Sequence, residues 1–342
     1  MTQHPMAWNV LVTGAAGMLG RKLTARLARQ PEIAGRPVVR LTLSDLEPIE
    51  TPGFAGPVTA LVADLSHPGV AEALVESRPN LIFHLAAVVS GEAEGDFEKG
   101  YRVNLDATRW LLEAIRRLGG GYRPRCVFAS SVAVFGQPLP EVISDTHCLT
   151  PLTSYGTQKA IDELLLADYT RRGFLDGVGL RLPTVSIRPG KPNKAASGFF
   201  SSILREPLTG LEAVLPVSES VRHWFASPRA AVQFMLHAAH IDSSRLGSVR
   251  TLNMPGLSAT VAEQIEALRR TAGERAVALI RRDPDPAVAA IIDGWPRSFD
   301  ARRAEALGFR GERSFDEIIR THIEDELGGV LPGQSAKVPA AV

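Results

Sequence analysis

A doubly wound α/β fold, a parallel sheet covered on both faces by helices, is predicted by three observations. Short, near-continuously apolar runs recur through the first half of the chain. Helical stretches separate them, and a glycine-rich turn joins the first run to the first helix. Strands buried on both faces and spaced by helices imply parallel pairing. A length of 342 residues suits one large α/β unit or two packed lobes.

In order, the strand-like runs are "NVLVTG" (9–14), "VVRLTLSD" (38–45), "VTALVAD" (58–64), "NLIFHLAA" (80–87) and "RCVFASS" (125–131). Helical segments alternate with them: "MLGRKLTARLARQ" (18–30), "GVAEALVESR" (69–78) and "NLDATRWLLEAIRRLG" (104–119). A further helix is predicted from near Ser154 to about Arg172, followed by the apolar run "VGLRLPTVSI" (178–187). That makes at least six βα-type units. After Pro189 the pattern changes: "RPGKPNKAASGFFSS" reads as loop. Helical pieces follow at roughly 228–240, 259–272 and 314–327, with the short run "VRTLNM" (249–254) between them. The predicted division is therefore a sheet domain over 1–188 and a smaller C-terminal α/β substrate lobe, mainly 189–328, from which some segments can return to the sheet. Residues 329–342 read as a tail.

A net charge of +1 removes the electrostatic case for nucleic acid or an anionic membrane surface as main partner. Cys126 and Cys148 are too few for a disulfide framework and lack metal-site spacing, so no metal is expected. Cys126, in an apolar run, reads as a small core residue. No secretory pattern or membrane-length apolar run is apparent, so the cytoplasm is the expected compartment.

In "VTGAAGMLG" three glycines follow a strand and open a helix, spaced G-x-x-G-x-x-G. Dinucleotide binding needs this arrangement. Glycine permits the tight turn and close approach to a pyrophosphate, and the helix start offers N–H groups and a positive dipole end. Gly14, Gly17, Met18, Leu19 and Gly20 are the candidate contacts. Asp45, ending the second strand, can accept from both adenosine ribose hydroxyls and would repel a 2′-phosphate, which favours NAD over NADP. Asp64 ends the third strand and reads equally as an adenine-side residue or a turn aspartate. In "LTSYGTQKA" (152–160), Tyr155 and Lys159 share one helix face at i and i+4. That spacing fits an acid/base tyrosine tuned by an ammonium. His84 and Trp110 read as core residues.

Together these motifs resemble the extended short-chain dehydrogenase/reductase family, which includes nucleotide-sugar epimerases and dehydratases. The resemblance rests on "TGAAGMLG", "ADL" (63–65), "HLAA" (84–87), "VNLDAT" (103–108), "SSVAVFG" (130–136) and "YGTQK" (155–159), in the family's order, and covers roughly residues 8–190. It implies a Rossmann-type domain, bound NAD(P) and reversible hydride transfer at a secondary alcohol. It further implies that Leu65, Leu85, Ala86, Ala87 and Asn104 line the cofactor beside Asp64; for Asn104 a helix N-cap is the competing reading. Ser131 takes the family's catalytic serine position, orienting substrate against Tyr155, while Lys159 lowers the phenol's pKa and holds the nicotinamide ribose.

The second lobe departs from the nucleotide-sugar enzymes. Thr184 stands at an Asn position; Arg222 in "RHWFASPRA" keeps the family's diphosphate arginine, while His223 and Arg229 replace acidic companions. The acidic segment "VVSGEAEGDFEKG" is a poor wall for a diphosphate. These departures look like a group within the family that oxidises C2 of a four-carbon sugar acid with NAD. A small anionic substrate needs a cationic clamp, with Arg222 first, then Arg188 or Lys191, and with Ser90 and Thr184 on hydroxyls. A nucleoside-diphosphate-sugar epimerase or dehydratase is the alternative enzyme. An NAD(H)-sensing protein is the non-enzymatic one, and intact Ser131, Tyr155 and Lys159 argue against it. Family members pair as dimers through the fourth helix and the Tyr/Lys helix, and "NLDATRWLLEAI" has the apolar residues for a homodimer.

Overall fold

The computed structural model describes residues 7–51, 53–190 and 196–331. Seven parallel strands form the main sheet: β1 (Trp8–Thr13), β2 (Arg36–Asp45), β3 (Val58–Val62), β4 (Leu81–His84), β5 (Arg125–Ser131), β6 (Asp176–Leu182) and β9 (Thr251–Asn253). Their spatial order is β9-β6-β5-β4-β1-β2-β3, with Glu32–Ile33 pairing antiparallel to the start of β2. The order reverses between β1 and β4. Ligands of open parallel sheets bind in the crevice at such a reversal, beyond the strands' carboxyl ends.

The helices that cover this sheet follow from side-chain pattern. α1 (Met18–Arg29) turns Leu23 and Leu27 inward, onto Val10 and Val12. The opposite face is covered by α2 (Val70–Val75), α3 (Ala107–Leu118) and α4 (Ser154–Arg171) over Leu11, Ile82, Cys126 and Phe128. Two pieces from beyond residue 189 return to this domain. α6 (Pro228–Ala238) packs beside α1, and β9 extends the sheet next to β6.

One predicted strand is corrected. The run 178–187 does not continue through Pro183, which has no N–H to give to a ladder. β6 stops at Leu182, and β7 (Thr184–Val185) joins a second, three-stranded sheet with β8 (Arg222–Ala226) and β10 (Leu257–Thr260). That sheet, α5 (Phe199–Leu208), α7 (Val261–Ala272) and α8 (Phe315–Glu326) enclose a separate apolar core around Phe200, Phe225, Leu268 and Ile319. The "VVSGEAEGDFEKG" segment is likewise helical, as Ser90–Gly95 and Phe97–Gly100. Among the described residues no helix is long and apolar enough to cross a membrane.

Candidate active site

The carboxyl ends of β1, β2, β4 and β5 place Thr13, Asp45, His84 and Ser131 along one rim of the sheet. Gly14 turns the chain there with φ +75, a conformation that L side chains rarely adopt. α1 starts at Met18 behind Gly17, with no side-chain cap and no acidic residue in its first turn. The first N–H groups of a helix have no intrahelical partner, so Met18, Leu19 and Gly20 are disposed for an anion. Leu85 donates from its N–H to Thr13 O at 3.1 Å, and Ala86 to Thr13 Oγ1 at 3.4 Å, closing the other wall of the crevice. Asp45 accepts from Ala16 N at 2.8 Å, which fastens its carboxylate beside the loop. An uncapped helix start, a glycine turn and a neighbouring carboxylate fit a dinucleotide.

Asn104 is fully buried in a π-helical turn, Tyr101–Asp106. It is not an N-cap. Its Oδ1 accepts from Val88 N at 2.8 Å, and its Nδ2 donates to Gln158 Oε1 at 2.7 Å, which pins the chain after β4 to α4. Asp64 is a turn residue. It accepts from Ser66 N at 2.9 Å and pairs with Arg102; burial raises its carboxyl, but these bonds outweigh it and hold the pKa below the usual range. Leu65 is buried.

α4 is capped by Thr153, whose Oγ1 accepts from Gly156 N at 3.1 Å. Glu94 adds a second tie, accepting from Ser154 N at 2.9 Å. A Cβ on Gly156 would stand 2.2 Å from Ala133 O. Glycine therefore lets α4 lie against the turn after Ser131 and brings Tyr155 to the serine. Tyr155 is half-buried, packed against Val88, Ala93 and Val103. Burial pushes its phenol above the ordinary value; a hydrogen bond with Ser131 and the charge of Arg188 pull it down.

Lys159 lies one turn further along the same helix. Its ammonium is buried, 4.6 Å from the Phe128 ring centre and 5.9 Å from that of Tyr155. Burial lowers its pKa, and Asp162 and Glu163 oppose that. Asp162, fully buried, is raised well above a normal carboxylate by desolvation. His84 is the satisfied core histidine expected: its ring bonds Thr13 Oγ1 at 2.7 Å and Thr108 Oγ1 at 2.9 Å. Burial, then the Lys159 charge, push it down to about 3, so it stays neutral. Trp110 is only half-buried, beneath Arg109.

Of the two candidate arginines, Arg188 and not Arg222 acts on the phenol of Tyr155. Arg188 Nε donates to Val185 O at 3.1 Å and Nη2 to Ser197 Oγ at 2.6 Å. Arg222, at the far end of β8, donates to Ser258 O at 3.0 Å and pairs with Glu263 at 3.3 Å. The reason is register: the β8 residues beside Thr184 and Val185 are Phe225 and Ala226, three and four positions past Arg222. Arg229 is likewise engaged elsewhere, with Glu324 and Asp325 on α8. Thr184 is half-buried and touches His223 Nε2 at 2.7 Å, while His223 Nδ1 meets Pro296 O at 2.8 Å. Burial lowers His223 to about 4. Ser90 opens the short helix after β4, and Lys191 lies outside the described residues.

A buried ion pair escaped sequence reasoning. Arg181 donates to Glu163 Oε2 at 2.8 Å and to Asp145 O at 3.0 Å, and Ser130 donates to Glu163 Oε1 at 2.5 Å. It locks α4 to β5 and β6. An arginine inside an apolar strand was the available signal, since a buried charge is almost never unpaired.

Residues 10–245 match the NAD dependent epimerase/dehydratase family. A protein of Cupriavidus necator named D-erythronate dehydrogenase is 48% identical over 93% of this chain and 98% of its own. One of the same name from Haemophilus influenzae is 42% identical over 93% and 99%. A solved structure, described as the nucleoside-diphosphate-sugar epimerase from Agrobacterium tumefaciens, superposes with TM-score 0.93 at 62% identity, covering 97% of this chain and 98% of that one.

Proposed function

The chain belongs to the NAD dependent epimerase/dehydratase family and is an NAD-dependent oxidoreductase, and from that premise we propose that it oxidises the C2 hydroxyl of a small sugar acid, D-erythronate, to the 2-keto acid. The observation that carries this is the likeness over 93% of the chain to two proteins named D-erythronate dehydrogenase, and the charge of Arg188, which lowers the Tyr155 phenol, accords with it. In a 2-hydroxy acid the carboxylate is bonded directly to the reacting carbon, so anion clamp and base must be neighbours. In a nucleotide sugar the diphosphate lies across the ring from the carbon oxidised by epimerases.

NAD, when bound along the crevice, supplies the hydride-accepting nicotinamide. In the proposed mechanism the positive charge of Arg188 holds the substrate carboxylate. Ser131 donates to the C2 oxygen and aligns it with Tyr155, whose phenolate takes the hydroxyl proton. Lys159, beneath the tyrosine, reaches the cofactor ribose and keeps positive charge behind the base. Asp45 reads the adenosine ribose, which favours NAD. Two copies are proposed to pair through α3 and α4, supported by Leu164, 67% exposed on α4, and half-buried Trp110 on α3. A monomer in sedimentation at micromolar concentration would remove the pairing.

The direct test is purified protein with NAD and a panel of four-carbon acids. NADH is expected to accumulate with D-erythronate. The alternative, suggested by the description of the Agrobacterium structure, converts UDP- or dTDP-sugars without net NADH; that outcome, with no response to any acid, sinks the proposal.

The base must lose its proton to act, and burial holds the proton on Tyr155. Hence kcat/KM for the acid is expected to keep rising above neutral pH. Arg188→Gln removes a charge that favours the phenolate, so its rise is expected at still higher pH, together with a raised KM. Identical pH profiles would take Arg188 out of the tyrosine's electrostatics.

A further inference from the structure

We infer that Thr184, oriented by His223, is a specificity residue that accepts a hydrogen bond from a substrate hydroxyl beyond C2 and selects hydroxylated acids over acids with a bare or carboxylate-bearing chain. The inference rests on the sugar-acid reading above and adds the part of the substrate that reading leaves open.

The argument is one of donor and acceptor roles. Pro296 offers His223 only a carbonyl, so Nδ1, 2.8 Å from it, carries the ring proton. A neutral imidazole has one N–H, and the ring is buried, stacked on Phe200 at 5.4 Å with Trp295 at 5.3 Å. Nε2 is then an acceptor, and the 2.7 Å contact with Thr184 Oγ1 has to use the threonine's own hydrogen. The chain runs Thr184 O–H to Nε2, then Nδ1–H to the Pro296 carbonyl. The one hydrogen of the Thr184 hydroxyl is consumed inside the protein. Its oxygen presents lone pairs alone to anything else that reaches it.

The position suits a substrate tail. Leu182, two residues before Thr184, is the register partner of Ser131. Val185, the next residue, accepts from Arg188, the proposed carboxylate clamp. Thr184 therefore stands just past the strand end beside the catalytic serine, next to the anion site. A lone-pair-only oxygen there attracts a hydroxyl and repels a second carboxylate. An apolar tail leaves it without its donor, and sites that hydrogen-bond a substrate hydroxyl discriminate against the analogue lacking it. His223 acts through Thr184 and is a positioning residue.

The test compares kcat/KM, with NAD, for D-erythronate and for 2-hydroxybutanoate of the same C2 configuration, which keeps the carboxylate and reacting hydroxyl but has none at C3 or C4. Thr184→Val is expected to lower the ratio of the two by about 10-fold or more, the loss of one recognition hydrogen bond. His223→Phe, which keeps an aromatic ring against Phe200, should lower it comparably, and the double variant should fall no further than either single one. Thr184→Ser keeps the hydroxyl and should restore most of the ratio. General damage to folding lowers both substrates together and leaves the ratio unmoved. NADH from both acids with a ratio unaffected by Thr184→Val, or effects of the two substitutions that multiply, overturns this inference and leaves the dehydrogenase reading standing. No NADH from either acid, in wild-type protein, overturns both.

Discussion

Tyr155→Phe is expected to reduce turnover by roughly a hundred- to ten-thousand-fold, the usual worth of a positioned acid/base group. The substitution removes one hydroxyl and retains the ring that packs on Val88, Ala93 and Val103. The loss should therefore sit in the chemical step. Cofactor affinity, proposed to rest on the glycine loop and Asp45, should change by no more than about twofold, since no group there is altered. Measuring kcat and the NAD dissociation constant on the same sample separates the two. Unchanged turnover would remove the phenol from the mechanism.

Gly14→Ala should harm both stability and cofactor binding. At φ +75 any other residue pays a conformational penalty of about 1–2 kcal/mol. Its Cβ would also stand 2.6 Å from Ala86 N and 2.7 Å from the Leu85 carbonyl carbon. Both are backbone atoms of the crevice wall, held by the bonds to Thr13, so relief requires β1 and the chain after β4 to separate. Overpacking of that kind adds about 1–3 kcal/mol, giving roughly 2–5 kcal/mol in all. Urea unfolding should show that loss, and an NAD titration should show at least about tenfold weaker binding. A variant that unfolds and titrates like the wild type would mean that the turn relaxes freely.

The parts legible in sequence are those in which function depends on local spacing. The first strand, the glycine turn and the helix after it lie within about 22 residues, and their periods and glycines announce them. Tyr155 and Lys159 are one helical turn apart, so sequence alone puts them on one face. Ser131 became legible only through family resemblance. What sequence did not show was any relation between distant segments. Arg222 and Arg188 are equivalent as letters; which one faces the tyrosine depends on where β7 leaves the main sheet and how β8 registers against it. Thr184 and His223 are 39 residues apart, and their hydrogen bond reflects that same register. The carboxylates of the segment after β4 looked like a repulsive wall. Instead Glu92 pairs with Lys99 and Glu94 ties down the start of α4. The electrostatics of Tyr155 were equally hidden, because burial and the charge of Arg188 act on the phenol and neither can be read from the i, i+4 spacing.

The uncapped start of α1 has a thermodynamic consequence. A helix that starts behind Gly17 with neither a capping side chain nor a first-turn carboxylate leaves its polar end to be completed by an anion, as the pyrophosphate of bound NAD would do in the proposed site. Binding and folding are then linked equilibria. NAD at a hundred times its dissociation constant adds about 2.7 kcal/mol to the free energy of unfolding, and dilution takes it away. For this chain the cellular supply of dinucleotide is also a supply of conformational stability, and a substitution that weakens NAD binding will present in cells as one that shortens the protein's lifetime.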